Sequence, residues 1–207
     1  MVNKQYFNEV APEWDHLRES FFTEAVREKA ISVATVQSGK MAADIGVGTG
    51  FIAEGLIERG LNVLAIDQSI TMLHVMRDKM RNGVNVEYCV GDAENLPIRA
   101  GAVDYVFANM CLHHVERPWA AIDEMERILR AGGKLVIADL DTHSFEFLKQ
   151  ECHDRWMGFK REDITEWFVE AGLTNVEVQC IGERCCAQSE CTDEYASIGI
   201  FVASGKK

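Results

Sequence analysis

A chain of 207 residues suits one domain with a full hydrophobic core, here taken as a single unit over 1–207. A formal charge of −12 argues against nucleic acid, whose phosphates call for a basic face, and the nearest basic cluster, Arg77, Lys79 and Arg81, reads as a solvated helix face. No apolar run is long enough to span a membrane, residues 1–7 lack the apolar core of an export signal, and seven cysteines fit reduced thiols, so the expectation is a cytoplasmic protein without membrane insertion.

Residues 1–38 look helical, with apolar positions at Phe21, Phe22, Val26, Ala30 and Ile31. From about residue 40 strands and helices alternate. Met41–Ile45 is a short buried strand that ends in a glycine loop, and Phe51–Arg59 reads as a helix. Asn62–Asp67 is a second strand, followed by a helix that Ser69 caps and that places Met72, Leu73, Met76 and Met80 on one side. Asn85–Cys89 and Val103–Ala108 are the third and fourth strands. Pro118 opens a helix carrying Trp119, Ile122, Met125 and Leu129, which Gly132-Gly133 is expected to end. Lys134–Leu140 is the fifth strand. Ile164, Trp167, Phe168 and Ala171 define another amphipathic helix, closed by Gly172. Val176–Ile181 and Tyr195–Ser204 have no helix between them and are expected to pair antiparallel. The pattern predicts an α/β fold: a doubly wound, mostly parallel sheet with helices on both faces. Ligands of such sheets bind at the carboxyl ends of the strands, where the strand order reverses.

The strongest local signal is Ala43-Asp44-Ile45-Gly46-Val47-Gly48-Thr49-Gly50, at the end of the first strand and the start of a helix. Glycines there permit a tight turn and let a ligand approach the backbone. A dinucleotide fingerprint would place its third glycine at residue 51, which is Phe51. Asp44 also stands two positions before the first glycine, where a carboxylate repels a pyrophosphate but suits a cationic amino group. Asp67 ends the second strand, 21 residues after Gly46, and can accept ribose hydroxyls. Gly91-Asp92-Ala93-Glu94-Asn95-Leu96-Pro97 follows the third strand, where a side-chain acceptor can meet an adenine amino group. Asn109 ends the fourth. Each element alone is weak; four in order, at the right strand ends, are specific.

These stretches, with Asn109–His114 and Leu129–Leu135, resemble the class I S-adenosylmethionine-dependent methyltransferases. The similarity is to the type 11 group, which includes the menaquinone and ubiquinone C-methyltransferases and the arsenite methyltransferases. The resemblance implies a seven-stranded sheet with its last strand antiparallel, a helical lid over 1–38, a cofactor-binding sheet over 39–207, and a substrate insertion near 141–160. It implies S-adenosylmethionine as cofactor and in-line methyl transfer to a small-molecule acceptor. Asp44, Gly46, Gly48 and Gly50 would cradle the methionine part, Asp67 the ribose, and Asp92 with Ala93 the adenine. Gln68, Met72 and Leu112 would pack near the nucleoside, and Asn109 would complete the polar ring. Tyr6-Phe7 and Trp14-Asp15 resemble the lid, where Tyr6 and Trp14 either cover the cofactor or only pack the lid on the sheet.

Methyl transfer from a sulfonium demands alignment and water exclusion more than acid–base groups. His113 and His143, near the ends of the fourth and fifth strands, are the candidate catalytic bases, with Asp139, Asp141, Cys152 and His153 nearby. Four late cysteines, Cys180, Cys185, Cys186 and Cys191, offer an alternative: a thiolate set for a thiophilic metal or metalloid, with the last three expected in the connection to the final strand.

Overall fold

The computed structural model describes residues 2–80, 85–189 and 191–207; Arg81 of the basic cluster lies outside the described residues. Seven strands form one sheet: β1 (Met41–Ile45), β2 (Asn62–Asp67), β3 (Val86–Val90), β4 (Val103–Asn109), β5 (Leu129–Leu140), β6 (Thr174–Gln188) and β7 (Tyr195–Lys206). Their order is β3-β2-β1-β4-β5-β7-β6, parallel from β3 through β5. β7 runs antiparallel to both neighbours, so β6 points the same way as the parallel strands. The expected architecture is therefore observed, and the order reverses between β1 and β4.

Alternation of side chains explains why helices cover both faces. On β1, Ala42 faces one apolar cluster and Ala43 the other; on β4, Phe107 and Val106 divide likewise. The first cluster takes Val26 and Ile31 from α3 (Glu24–Ala34), Ile52 and Leu56 from α4 (Phe51–Glu58), and Leu73 and Met76 from α5 (Ile70–Lys79). The second takes Ile122 and Met125 from α6 (Pro118–Ile128), and Ile164 and Phe168 from α8 (Arg161–Glu170). Two further helices precede α3: α1 (Val2–Val10) and α2 (Trp14–Phe21). α7 (Phe147–Glu151) is a short helix in the connection after β5 that the sequence pattern did not announce.

Three elements, α6, β5 and β6, depart most from the expected boundaries. α6 ends at Ile128, not at Gly132-Gly133, because Leu129 is already extended and pairs with Val103. Gly132, at φ +81°, instead turns the chain within the irregular start of β5. The third difference is β6, which continues past Ile181 to Gln188 across a register shift between Cys180 and Arg184, where Gly182 has φ +89°. Cys185 and Cys186 therefore lie inside the strand rather than in the connection.

Candidate active site

The loop after β1 sits at the order reversal. Gly46, Gly48 and Gly50 have φ of +67°, +55° and +98°, values that L side chains resist. The Gly48 N–H donates to Asp67 Oδ2 at 2.9 Å, and the Ser69 N–H donates to Asp67 Oδ1 at 2.8 Å. Asp67 thus ties the glycine loop to the start of α5, where Ser69 Oγ accepts the Met72 N–H at 3.1 Å. These groups wall a cavity that also takes in Asp44, Gln68, Met72, Asp92, Ala93 and Asn109. Asp92 is held in a turn by the Glu94 N–H, which donates to its Oδ1 at 3.0 Å.

Among the buried polar atoms of this cavity's lining residues that have no hydrogen-bond partner among the described residues are Asp44 Oδ2, Asn109 Oδ1 and Arg18 Nε. Such atoms are rare unless something else satisfies them. Burial pushes the Asp44 carboxyl up to about 8, with a backbone bond from Ala53 opposing and Asp67 adding to the rise. Asp67 is also raised by burial, against backbone bonds from Ser69, Gly48 and Gln68. A ligand bearing an ammonium would satisfy the Asp44 oxygen and offset its burial.

A second cavity adjoins the first, sharing Phe7, Trp14, Phe22, Met110 and His114 with it. Its other walls are largely apolar, from Tyr6, Phe21, Leu140, Leu148 and Ala187. Its polar end holds His113 and Asp154, with the thiols of Cys152 and Cys185 beside them. His113 Nδ1 lies 2.6 Å from Asp139 Oδ1 and its Nε2 lies 3.7 Å from Asp154 Oδ1. Burial alone would strip the His113 ring of its proton, but the Asp139 and Asp154 carboxylates prevail and raise it to about 9. His114 shifts the opposite way, lowered by burial and by its charged neighbour His113. Burial raises the Cys185 thiol to about 12, so it stays protonated near neutral pH.

Residues 43–137 match a family profile described as a methyltransferase domain. That stretch is a methyltransferase domain. It contains the glycine loop and the ends of β2, β3 and β4 that build the first cavity. Over 177 residues the chain is 32% identical to the chloroplastic 2-methyl-6-phytyl-1,4-hydroquinone methyltransferase 1 of Oryza sativa subsp. japonica, covering 83% of this chain and 53% of the relative. Over 142 residues it is 31% identical to the demethylmenaquinone methyltransferase of Renibacterium salmoninarum, covering 67% and 59%. The chain thus spans about half the length of the curated relatives it matches. Among solved structures, the complex between the Haloferax volcanii Trm112 methyltransferase activator and the putative methyltransferase contains a chain that superposes with a TM-score of 0.78 at 20% identity, covering 97% of this chain and 96% of that one. At that identity the likeness speaks for the fold.

Most of the residues expected at the cofactor do line the methyltransferase domain's first cavity; three do not. Gly50 starts α4 and backs onto Met76 and Met80. Leu112 is fully buried in the second apolar cluster, and its N–H supports Asp139 at 2.9 Å. Tyr6 belongs to the second cavity, its ring 4.7 Å from that of His153. Trp14 lines both cavities.

On the acceptor side, His143 reaches neither cavity: its Nδ1 accepts the Phe145 N–H at 3.3 Å. Of the 141–160 connection, Leu148, Cys152 and Asp154 reach the second cavity and Arg155 the first, whereas Phe159 packs in the core. The late cysteines do not converge. Cys185 faces the second cavity, while Cys186 on the opposite face of β6 lies 4.0 Å from Ser197 Oγ. Cys180 and Cys191 are exposed.

Three contributors were not foreseen. Arg18 is buried at the first cavity with its guanidinium 4.3 Å from the Phe51 ring centre. Its spacing of four from Trp14 on one helix face was the only signal for it. Met110 lies in the left-handed region, at φ +48°, on the wall shared by the two cavities. Asp154 sits in an irregular connection with no periodicity to place it.

Proposed function

We propose that this chain transfers a methyl group from S-adenosylmethionine to a small aromatic acceptor of the hydroquinone class. One observation carries the reading: a cavity suited to the cofactor adjoins an apolar cavity with a single polar end, across a wall made by Met110 and His114. The names of the two curated relatives supply the acceptor class.

S-adenosylmethionine, when bound, supplies an electrophilic methyl group on a sulfonium. The chain's residues hold and enclose it. Asp44 binds the amino group, and its orphaned Oδ2 favours that assignment. Asp67, already fixed by two backbone N–H groups, accepts the ribose hydroxyls with its remaining lone pairs. Asp92 and the Ala93 amide take the adenine edge. The first helices act as a lid, with Phe7, Trp14 and Phe22 excluding water from both cavities. In the second cavity an acceptor hydroxyl meets the polar end formed by His113, His114 and Asp154. The ring of the acceptor then rests on Phe21, Leu140 and Leu148, facing the shared wall.

Titration calorimetry with S-adenosylhomocysteine, followed by transfer of labelled methyl to 1,4-hydroquinones with and without an isoprenoid tail, tests the proposal. Micromolar binding and turnover on a hydroquinone are expected. Absence of binding at sub-millimolar ligand sinks the cofactor assignment; binding without transfer to any hydroquinone sinks the acceptor assignment alone.

A further inference from the structure

The polar end of the second cavity has the composition and order of a metal centre. His113, His114 and Asp154 each offer one ligand atom within 4.8 Å of the other two. Asp154 Oδ1 is 3.7 Å from His113 Nε2 and 3.8 Å from His114 Nδ1. The three side chains are 7%, 15% and 4% exposed, so long, water-screened contacts do not describe them. We propose that His113, His114 and Asp154 form a three-ligand site for a divalent cation of the zinc class, with its open position facing the apolar cavity.

Four observations support this. Two imidazole nitrogens and one carboxylate oxygen are the donor set of an open zinc site, and imidazole selects late first-row metals over magnesium or calcium. Zinc-to-ligand bonds of about 2.0–2.1 Å put tetrahedral ligands roughly 3.3 Å apart, so a cation need draw Asp154 Oδ1 toward each of the two histidine nitrogens by only about half an ångström.

The outer shell is also in place. Asp139 Oδ1 sits 2.6 Å from His113 Nδ1, which fixes the ring and leaves Nε2 aimed at Asp154. Asp139 is itself held by the Leu112 and Leu140 N–H groups at 2.9 and 2.8 Å.

The segment bearing Asp154 is tied to the histidine turn. Arg155 and Trp156 both donate their N–H to the His113 carbonyl, at 3.0 and 3.1 Å. Residues far apart in sequence are therefore held in register by backbone bonds that do not depend on the cation.

The charge suits a cation as well. Asp139 and Asp154 form ion pairs with histidines alone among the described residues, so no lysine or arginine occupies the place. The thiols of Cys152 and Cys185 line the same cavity. The site does not depend on the methyl-transfer reading, and metal binding is measured without cofactor or acceptor.

Metal-free protein titrated with Co2+ is expected to take up one equivalent per chain, with the visible bands of tetrahedral cobalt, and Zn2+ is expected to displace it. His114→Gln and Asp154→Asn should each weaken binding at least tenfold, and Asp139→Asn about 10–100-fold, as for lost outer-shell partners. Cys186→Ser, on the far face of β6, should leave binding unchanged. Absence of the bands, or unchanged binding in both His114→Gln and Asp154→Asn, overturns the proposal. Near-UV circular dichroism checks that each variant is folded. If either is not, X-ray absorption of the zinc-loaded wild type decides: two imidazoles in the shell support the site, and a shell without imidazole overturns it.

Discussion

The Asp67 carboxylate accepts the Gly48 N–H at 2.9 Å and the Ser69 N–H at 2.8 Å, so a single side chain clamps the loop after β1 to the start of α5. Asp67→Asn replaces one accepting oxygen with a donor that faces a backbone N–H. Hydrogen bonds to a charged group are worth about 1.5–3 kcal/mol each, and one is lost along with part of the grip on the cofactor. Affinity for S-adenosylhomocysteine is expected to fall about 10–100-fold, read by calorimetry. A loss under twofold would mean that Asp67 serves the loop alone.

Asp44 makes the binding equilibrium depend on pH. Burial raises its folded-state carboxyl to about 8, far above the ordinary carboxylate range. A raised folded value contributes stability that is complete below the unfolded value and is lost as pH rises through about 8. The free chain should therefore melt at progressively lower temperature between about pH 4 and pH 8. An ammonium docked on Asp44 favours the carboxylate, so binding below pH 8 releases a proton. Affinity should rise with pH, by up to about tenfold per unit, and level off near 8. Calorimetry in two buffers of different ionisation enthalpy counts the proton, and Asp44→Asn should abolish both slope and release. Proton release that persists in Asp44→Asn would assign the effect elsewhere.

The residues that position this chemistry were legible where local rules act alone. Parallel strands buried on both faces read as short apolar runs, and the polar residues at their ends fall on one edge of the sheet by topology, which is why Asp44, Asp67, Asp92 and Asn109 were found together. β6 was misjudged because it is an edge strand: beyond Ile181 it carries Gly182, Glu183 and Arg184, which resemble a turn until pairing with β7 holds them extended. The polar end of the second cavity was half legible. His113 follows β4 and was foreseen, whereas Asp154 comes from a connection whose path is set by hydrogen bonds to the His113 carbonyl rather than by any pattern of its own. His143 was expected beside His113 from its position after β5, but its loop turns it onto the Phe145 N–H.

Gly46 separates two costs of a single methyl group. At φ +67° an alanine carries a left-handed penalty of about 1–2 kcal/mol. Its Cβ would also fall 2.9 Å from the Cys111 Cβ and closer still to the sulfur. Gly46→Ala should lower the melting temperature and weaken cofactor binding. Gly46→Ala with Cys111→Ala should recover the part of the contact cost that the sulfur causes, and leave the backbone cost and the Cβ contact. The double-mutant cycle in chemical denaturation measures the difference; purely additive effects would show that the methyl group does not meet the Cys111 sulfur.

Asp15 latches the N-terminal helices to the glycine loop. Its Oδ1 accepts the Thr49 hydroxyl at 2.6 Å and its Oδ2 pairs with Lys79 at 2.9 Å, so one carboxylate joins α2, the loop after β1 and α5. Burial raises this carboxyl, but the Lys79 and Thr49 bonds outweigh it and hold the value below the usual carboxylate range. Both ends of the ion pair are about a third or more exposed, so solvent screens it and the latch contributes about 1 kcal/mol or less. Asp15→Ala should therefore leave global stability nearly unchanged while raising the open population of the helices up to about fivefold. Limited proteolysis within residues 2–22 measures that population. S-adenosylhomocysteine should slow cleavage in both proteins, because Trp14 lines the cofactor cavity and a filled cavity holds it down. Cleavage of Asp15→Ala at the wild-type rate would show that ring packing between Phe7 and Trp14, with centres 5.6 Å apart, closes the helices without the latch.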